Sequence, residues 1–238
     1  MTGAAAVEPA LRTAALARLL SLGLSPPSEE SLGHLAALAR ELAALDPSDE
    51  ELAALASQAD GAGLSPEFEA LFGGPVRCPP YEGSYEADTF RQARQMADVA
   101  GFYRAFGAEL AGAERDRPDS AGAELEFLAF LTARRLAADG EGARICAEAQ
   151  DEFLRHHLGR WLGELCRRIE AETASPFYAA LARLGGRFIS EELERRGIEP
   201  APLPERRRWS VEADTFACGP DDPPGLPGLG PTRAARGA

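Results

Sequence analysis

The residues that build sheet cores are nearly missing from this chain. Its 238 residues include four valines (Val7, Val76, Val99, Val211) and four isoleucines (Ile145, Ile169, Ile189, Ile198). Branched side chains of this kind pack well on a pleated surface, so a core sheet draws on them heavily. Alanine, leucine, glutamate and arginine dominate instead, and these lose little entropy in a helix. The fold class is therefore expected to be all-α. With 45% hydrophobic residues, a chain of this length buries a core without cross-links, as one large domain or two.

Charge and cysteine usage narrow the function classes. All 25 basic residues are arginine against 38 acids, a net charge of −13. The absence of lysine excludes Schiff-base chemistry and a P-loop lysine. The acidity argues against nucleic acid, which calls for a basic face, and fits a cationic partner or plain solubility. Cys78, Cys146, Cys166 and Cys218 form no C-x-x-C pair, so neither a disulfide scaffold nor a thiolate zinc site is expected. Arg12 and Arg18 interrupt the first apolar stretch, and no long uncharged run follows. A cytoplasmic protein without a secretory signal or membrane insertion is the expectation.

Punctuation divides the chain into a succession of helices. Residues 10–22 carry a leucine stripe and end at Ser25-Pro26-Pro27. Ser28 is placed to cap a second helix, with Glu29 and Glu30 in its first turn. Asp46-Pro47 reads as a cap followed by an N1 proline for a third helix, and Ser65-Pro66 as the same device for a short one ending at Leu71-Phe72-Gly73-Gly74. The loop Pro75–Tyr85 has two consecutive prolines that exclude helix. A helix over 87–106 is expected to turn Phe90, Ala93, Ala97, Ala100, Tyr103 and Phe106 inward. A second loop, Arg117-Pro118-Asp119-Ser120, leads into a helix over 120–138. Further helices are expected over 143–172, bent near Gly159, and from Pro176 to Arg196. Residues 197–238, rich in proline and glycine, read as a flexible tail of net charge −1, which leaves about −12 on the helical body (residues 1–196).

Catalytic patterns mostly fail. The chain lacks G-x-S-x-G and a strand-borne G-x-G-x-x-G. The residues three before His34, His156 and His157 are Ser31, Phe153 and Leu154, so the Glu-x-x-His of di-iron bundles is missing. Glu152 and His156 share a helix face at i, i+4, which fits an ordinary surface pair or part of a metal site. Glu124 and Glu126 read as a solvated acidic face. No metal and no cofactor is expected. What remains is Pro79, Pro80, Tyr81, Glu82 and Tyr85, either a recognition surface or a loop whose tyrosines close over the core while Glu82 faces water.

Several of these segments, in this order and spacing, resemble the TorD/DmsD family of chaperones for molybdenum enzymes. They are Phe68 to Phe90, Gly101 to Gly107, Arg117 to Leu131, Phe153 to Leu162 and Ser175 to Leu184, within a resemblance over residues 10–196. It implies an all-helical chaperone domain, no catalysis, and a partner: the twin-arginine signal peptide and apo form of a molybdopterin oxidoreductase catalytic subunit. It places client contacts at Leu71, Phe72, Pro80, Tyr81, Pro118, Asp119 and Glu124. Ser120 stands where the family usually has histidine; a serine there can still cap the following helix. The resemblance also leaves room for a monomer or a homodimer that exchanges helices. The expected division of labour is an apolar groove of Leu71, Phe72, Tyr81 and Tyr85 for affinity, with Glu82, Asp119 and Glu124 selecting for arginine. The rival readings are an all-α carboxylate/histidine metal-dependent enzyme using His156, and a general helical adaptor.

Overall fold

A computed structural model of the chain describes residues 4–59, 63–73, 77–87, 89–109 and 117–204, apart from the side chains of 4–7. These residues form nine α-helices and one 3-10 turn, and their sole β-type pairing is an isolated bridge between Tyr81 and Ser120. The helices are α1 (Ala4–Gly23), α2 (Glu29–Leu45), α3 (Glu50–Gln58), α4 (Leu64–Phe72), α5 (Thr89–Ala105), α6 (Ala121–Ala137), α7 (Gly140–His156), α8 (Leu158–Glu172) and α9 (Pro176–Arg196). The chain divides into two units, Met1–Arg206 and Arg207–Ala238; the second lies wholly outside the described residues.

Helix α1 packs on α6 and α2, α8 on α9, and α6 on α7. Leu19, Leu20, Leu125, Leu128, Trp161, Phe177 and Tyr178 are among the fully buried side chains they share. Each such side chain contributes roughly 1.5–3 kcal/mol relative to exposure. The apolar patterning that specified helices therefore also specifies the core.

Several helix ends follow the expected chemistry. Ser28 accepts from the Ser31 N–H at 3.1 Å while Ser31 accepts from the Ser28 N–H at 2.9 Å, a reciprocal cap on α2. Pro176 occupies the first turn of α9. Gly197 closes that helix with φ of +64°, in the left-handed region that glycine enters without penalty.

Other ends differ. Asp46 closes α2, and the cap of α3 is Asp49, whose carboxylate accepts from the Leu52 N–H at 3.1 Å. Asp46-Pro47 forms a turn closed by Asp49 N–H to Asp46 carbonyl at 3.1 Å. Proline suits the second position of a turn as well as N1, which is why the motif was ambiguous. Helix α4 likewise starts at Leu64, capped by Gly63 without a side-chain bond, so Ser65-Pro66 lies inside its first turn. The expected bend near Gly159 is a break at His157, between α7 and α8. A Cβ on Gly159 would lie 2.2 Å from the Leu154 carbonyl oxygen, so only glycine fits so close to the broken turn. The packed chain also runs past Arg196: Ile198 is buried, and the Ala201 N–H donates to the Arg155 carbonyl at 2.8 Å.

The first half of helix α5 presents a different face from the one expected, while Tyr103 is buried and Phe106 packs on the core as expected. Phe90 is 85% exposed, Ala93 and Ala97 are also exposed, and Val99 and Tyr103 are buried. Gln95, on the Val99 side, turns toward polar partners inside the molecule. A stripe chosen for apolarity alone misses a face that carries a glutamine inward.

Candidate functional site

The two loops between helices are stitched to each other. The Glu82 N–H donates to the Asp119 carbonyl at 2.8 Å, and the Ala121 N–H to the Pro80 carbonyl at 2.9 Å. Tyrosine hydroxyls fasten both loops from below: Tyr85 donates to the Pro79 carbonyl at 3.1 Å and Tyr103 to the Pro118 carbonyl at 2.7 Å. Prolines lack an N–H but keep their carbonyls, and here those carbonyls take the bonds. Ser120 caps α6 by accepting from the Ala123 N–H at 3.2 Å, as a serine at that position should. The 3-10 turn Glu82–Tyr85 follows directly on this stitch.

Three of the predicted acids lie beneath the loops, not on their rim. Glu82 and Glu124 are fully buried and Asp119 nearly so. Glu82 accepts from Gln95 at 2.6 Å and from Arg160 at 3.3 Å, and lies 3.0 Å from His157 Nδ1. Arg160 also bonds Glu86 at 3.0 Å and the carbonyls of Ala201 and Pro202, which holds the last described segment against α8. Glu124 accepts from the Trp161 indole N–H at 3.2 Å, and its other oxygen has no hydrogen-bond partner among the described residues. Burial, and then the neighbouring Glu82 charge, hold the Glu124 carboxyl well above the ordinary 4.5. A carboxyl sealed from solvent cannot meet a client's arginine, and Glu124 is not on a solvated face. Glu82 likewise matches neither reading of its loop. Trp161 and His157, which build this cluster, carry no local signal; they lie far along the chain from Glu124 and Glu82.

An open groove lies outside the stitched loops, with a volume of about 300 Å³. Its walls are the end of α1 (Leu24, Ser25, Pro26), α4 (Phe68, Glu69, Phe72, Gly73) and the loops (Pro80, Tyr81, Arg117, Ser120). Phe68 and Phe72 pack with ring centroids 4.8 Å apart, and Phe72 rests edge-on against Tyr178 at 6.1 Å. Tyr81 is half-buried, with the Arg117 guanidinium 3.5 Å above its ring. Of the predicted residues, Phe72, Pro80, Tyr81 and Ser120 meet at this groove. Leu71, Tyr85 and Pro118 are buried in the body, where Tyr85 packs 5.4 Å from Trp161. Phe68, Leu24 and Arg117 were missed. Glu69, which is exposed, is the acid on the groove wall. A second depression, about 420 Å³, lies at the end of α9 around Gly197 and has no aromatic side chain.

The remaining candidates are surface or core features. His156 and Glu152 form a half-exposed pair at 3.4 Å. Among the described residues, no three histidines, cysteines or acids gather in a way that could hold a metal ion. Cys78, Cys146 and Cys166 are free and buried. Burial pushes the Cys78 thiol up to about 11 and the Cys166 thiol up to about 12, which keeps both protonated and unreactive. No helix among the described residues is long and apolar enough to cross a membrane.

The nitrate reductase delta subunit family matches this chain over residues 34–167, more than half its length. The chain belongs to that family. All ten predicted contact residues, Leu71 to Glu124, fall inside the match, as do Phe68 and Arg117. This chain is also similar to a perchlorate reductase assembly chaperone protein of Dechloromonas aromatica. It is 34% identical over 144 residues, 56% of this chain and 63% of the relative. A selenate reductase assembly chaperone protein of Thauera selenatis is 35% identical over 147 residues, 60% of this chain and 75% of the relative. A crystal structure described as a redox enzyme maturation protein of Archaeoglobus fulgidus superposes with a TM-score of 0.51 and 25% identity, covering 74% of this chain and 93% of the other. The all-helical fold and the resemblance to TorD/DmsD chaperones read from the loop segments both hold.

Proposed function

We propose that this chain is a cytoplasmic assembly chaperone that receives the leader segment of an apo molybdopterin oxidoreductase catalytic subunit in the groove at Phe72 and Tyr81. Holding that segment delays export until the cofactor is inserted. The observation that carries the reading is the open, aromatic-walled groove set against loops that are otherwise fastened shut, inside the stretch shared with the family. Its relatives are assembly chaperones.

Magnitudes assign the roles. Micromolar binding requires about 8 kcal/mol, and an exposed arginine–carboxylate pair supplies only about 0–1 kcal/mol. Burying roughly 500 Å² of apolar leader surface yields on the order of 12 kcal/mol gross at about 25 cal/mol per Å². Association and ordering take back several kcal/mol. The groove therefore supplies the affinity. Glu82 and Glu124 act by holding the loops in place, and the leader's arginines are left to Asp119 and Glu69 near the groove, with the net negative charge speeding encounter.

Titration calorimetry with a twin-arginine leader peptide tests the reading. Replacing the peptide's leucines by serine is expected to cost more affinity than replacing both arginines by glutamine. The reverse ranking rejects the division of roles. The association rate is expected to fall between low and physiological salt; a salt-independent rate would limit the acidity to solubility.

A further inference from the structure

We propose that the arginine seat of this groove is occupied by the chain's own Arg117, which a client arginine must displace. The proposal rests on the client reading above and adds an internal competitor to it. Arg117 meets every requirement of a bound guanidinium. Its Cζ lies over the Tyr81 ring, 3.5 Å from the centroid. Its Nε and Nη2 donate in a fork to Asp119 Oδ1 and Oδ2 at 3.0 and 3.3 Å. Asp119 is fixed from behind, since its Oδ2 also accepts the Gly83 N–H at 3.0 Å and its side chain is 2% exposed. Ring, carboxylate and backbone thus form a rigid slot shaped for a planar cation.

The occupant, unlike the slot, is loosely placed. Arg117 is 42% exposed and its side chain touches only Tyr81 and Asp119 among the contacts described, whereas Arg160 is 9% exposed and tied to two glutamates and three carbonyls. Arg160 is built into the scaffold; Arg117 can swing into solvent and be replaced by a chemically identical group. Internal competition lowers the apparent affinity for an arginine-bearing leader by the fraction of time the slot is closed. It leaves apolar segments without arginine to bind the groove over a filled slot, so only arginine-bearing leaders open it.

The test uses the full chain with Arg117→Ala and, as a variant that keeps the stem, Arg117→Gln. A twin-arginine leader peptide is expected to bind either variant at least about fivefold more tightly than the native chain, while its diglutamine counterpart binds all three within about twofold. Unchanged or weakened binding of the arginine peptide overturns the proposal. N-acetylarginine amide provides a probe that needs no client. It is expected to shift the Gly83 amide resonance of Arg117→Ala with millimolar saturation, and to lose that effect when Asp119→Asn is added. No shift overturns the slot even where leaders bind. A saturable shift with no leader binding keeps the slot and removes the client from it.

Discussion

Helix α6 carries a buried polar cluster toward each end, and the two are balanced in opposite ways. Toward its C-terminus, Gln150 donates to Thr132 at 2.6 Å and accepts from Arg135 and Arg196, both at 3.1 Å. Arg196 in turn reaches Asp151 and Glu192, and Glu192 accepts from Thr13 at 2.6 Å. Acids there meet arginines and a hydroxyl. Toward the N-terminus, Glu82, Asp119 and Glu124 crowd together under the loops, and one oxygen of Glu124 and the Nε2 of His157 have no hydrogen-bond partner among the described residues. A satisfied network fixes a scaffold, whereas a strained one marks a place where a fold keeps polar groups for another reason. Here it sits directly beneath the groove, and the loops it holds are the groove wall.

Breaking the strained cluster should produce the largest effect. Glu82→Ala removes the carboxylate beside buried His157 and one of the two carboxylates on Arg160, and should cost about 3–5 kcal/mol in urea unfolding. A loss under 1 kcal/mol would mean the acid does not hold the loops. At the balanced end, Gln150→Ala should cost roughly 1–3 kcal/mol, with leader affinity unchanged. A drop in leader affinity would erase the distinction between the two clusters.

Glu124 sharpens the comparison through pH. Its carboxyl is raised in the folded state, so above the ordinary 4.5 the folded chain binds a proton that the unfolded chain has released. That contribution is fully present at low pH and is lost as pH rises toward the raised value, at most about 1.4 kcal/mol per pH unit. Glu124→Gln keeps an acceptor for Trp161 and removes the titration. Its stability relative to the native chain should therefore rise with pH across that window, as followed by denaturant midpoints. A constant difference would place a charged Glu124 in the core. The smallest effect belongs to the surface: Glu152→Ala, which removes the His156 partner, should change stability by less than about 0.5 kcal/mol in the same assay.

Composition carried the fold class because helix preference is a local property summed over many residues. Ser28, Pro176 and Gly197 were legible for the same reason: a cap or an N1 proline acts within one turn. Asp46-Pro47 failed because two local devices share one sequence. The inward face at the start of α5 and the burial of Glu82 and Glu124 failed for a different reason. Those side chains go inside because Gln95, His157, Arg160 and Trp161 arrive from elsewhere to receive them, and nothing near an acid in sequence announces a distant indole. The groove was half visible. Pro80 and Tyr81 were marked by a loop that helices do not need and Phe72 by the family resemblance, while Phe68 looked like any apolar helix residue and Arg117 like any charge.

Affinity measurements on two aromatic variants test the central claim most directly. Tyr81 lines the groove, and Phe90 is a far more exposed ring outside it. In calorimetric titrations with one leader peptide, Tyr81→Ala should weaken binding by about tenfold or more while Phe90→Ala leaves it unchanged. Equal losses, or a loss at Phe90 alone, would contradict a groove-bound client.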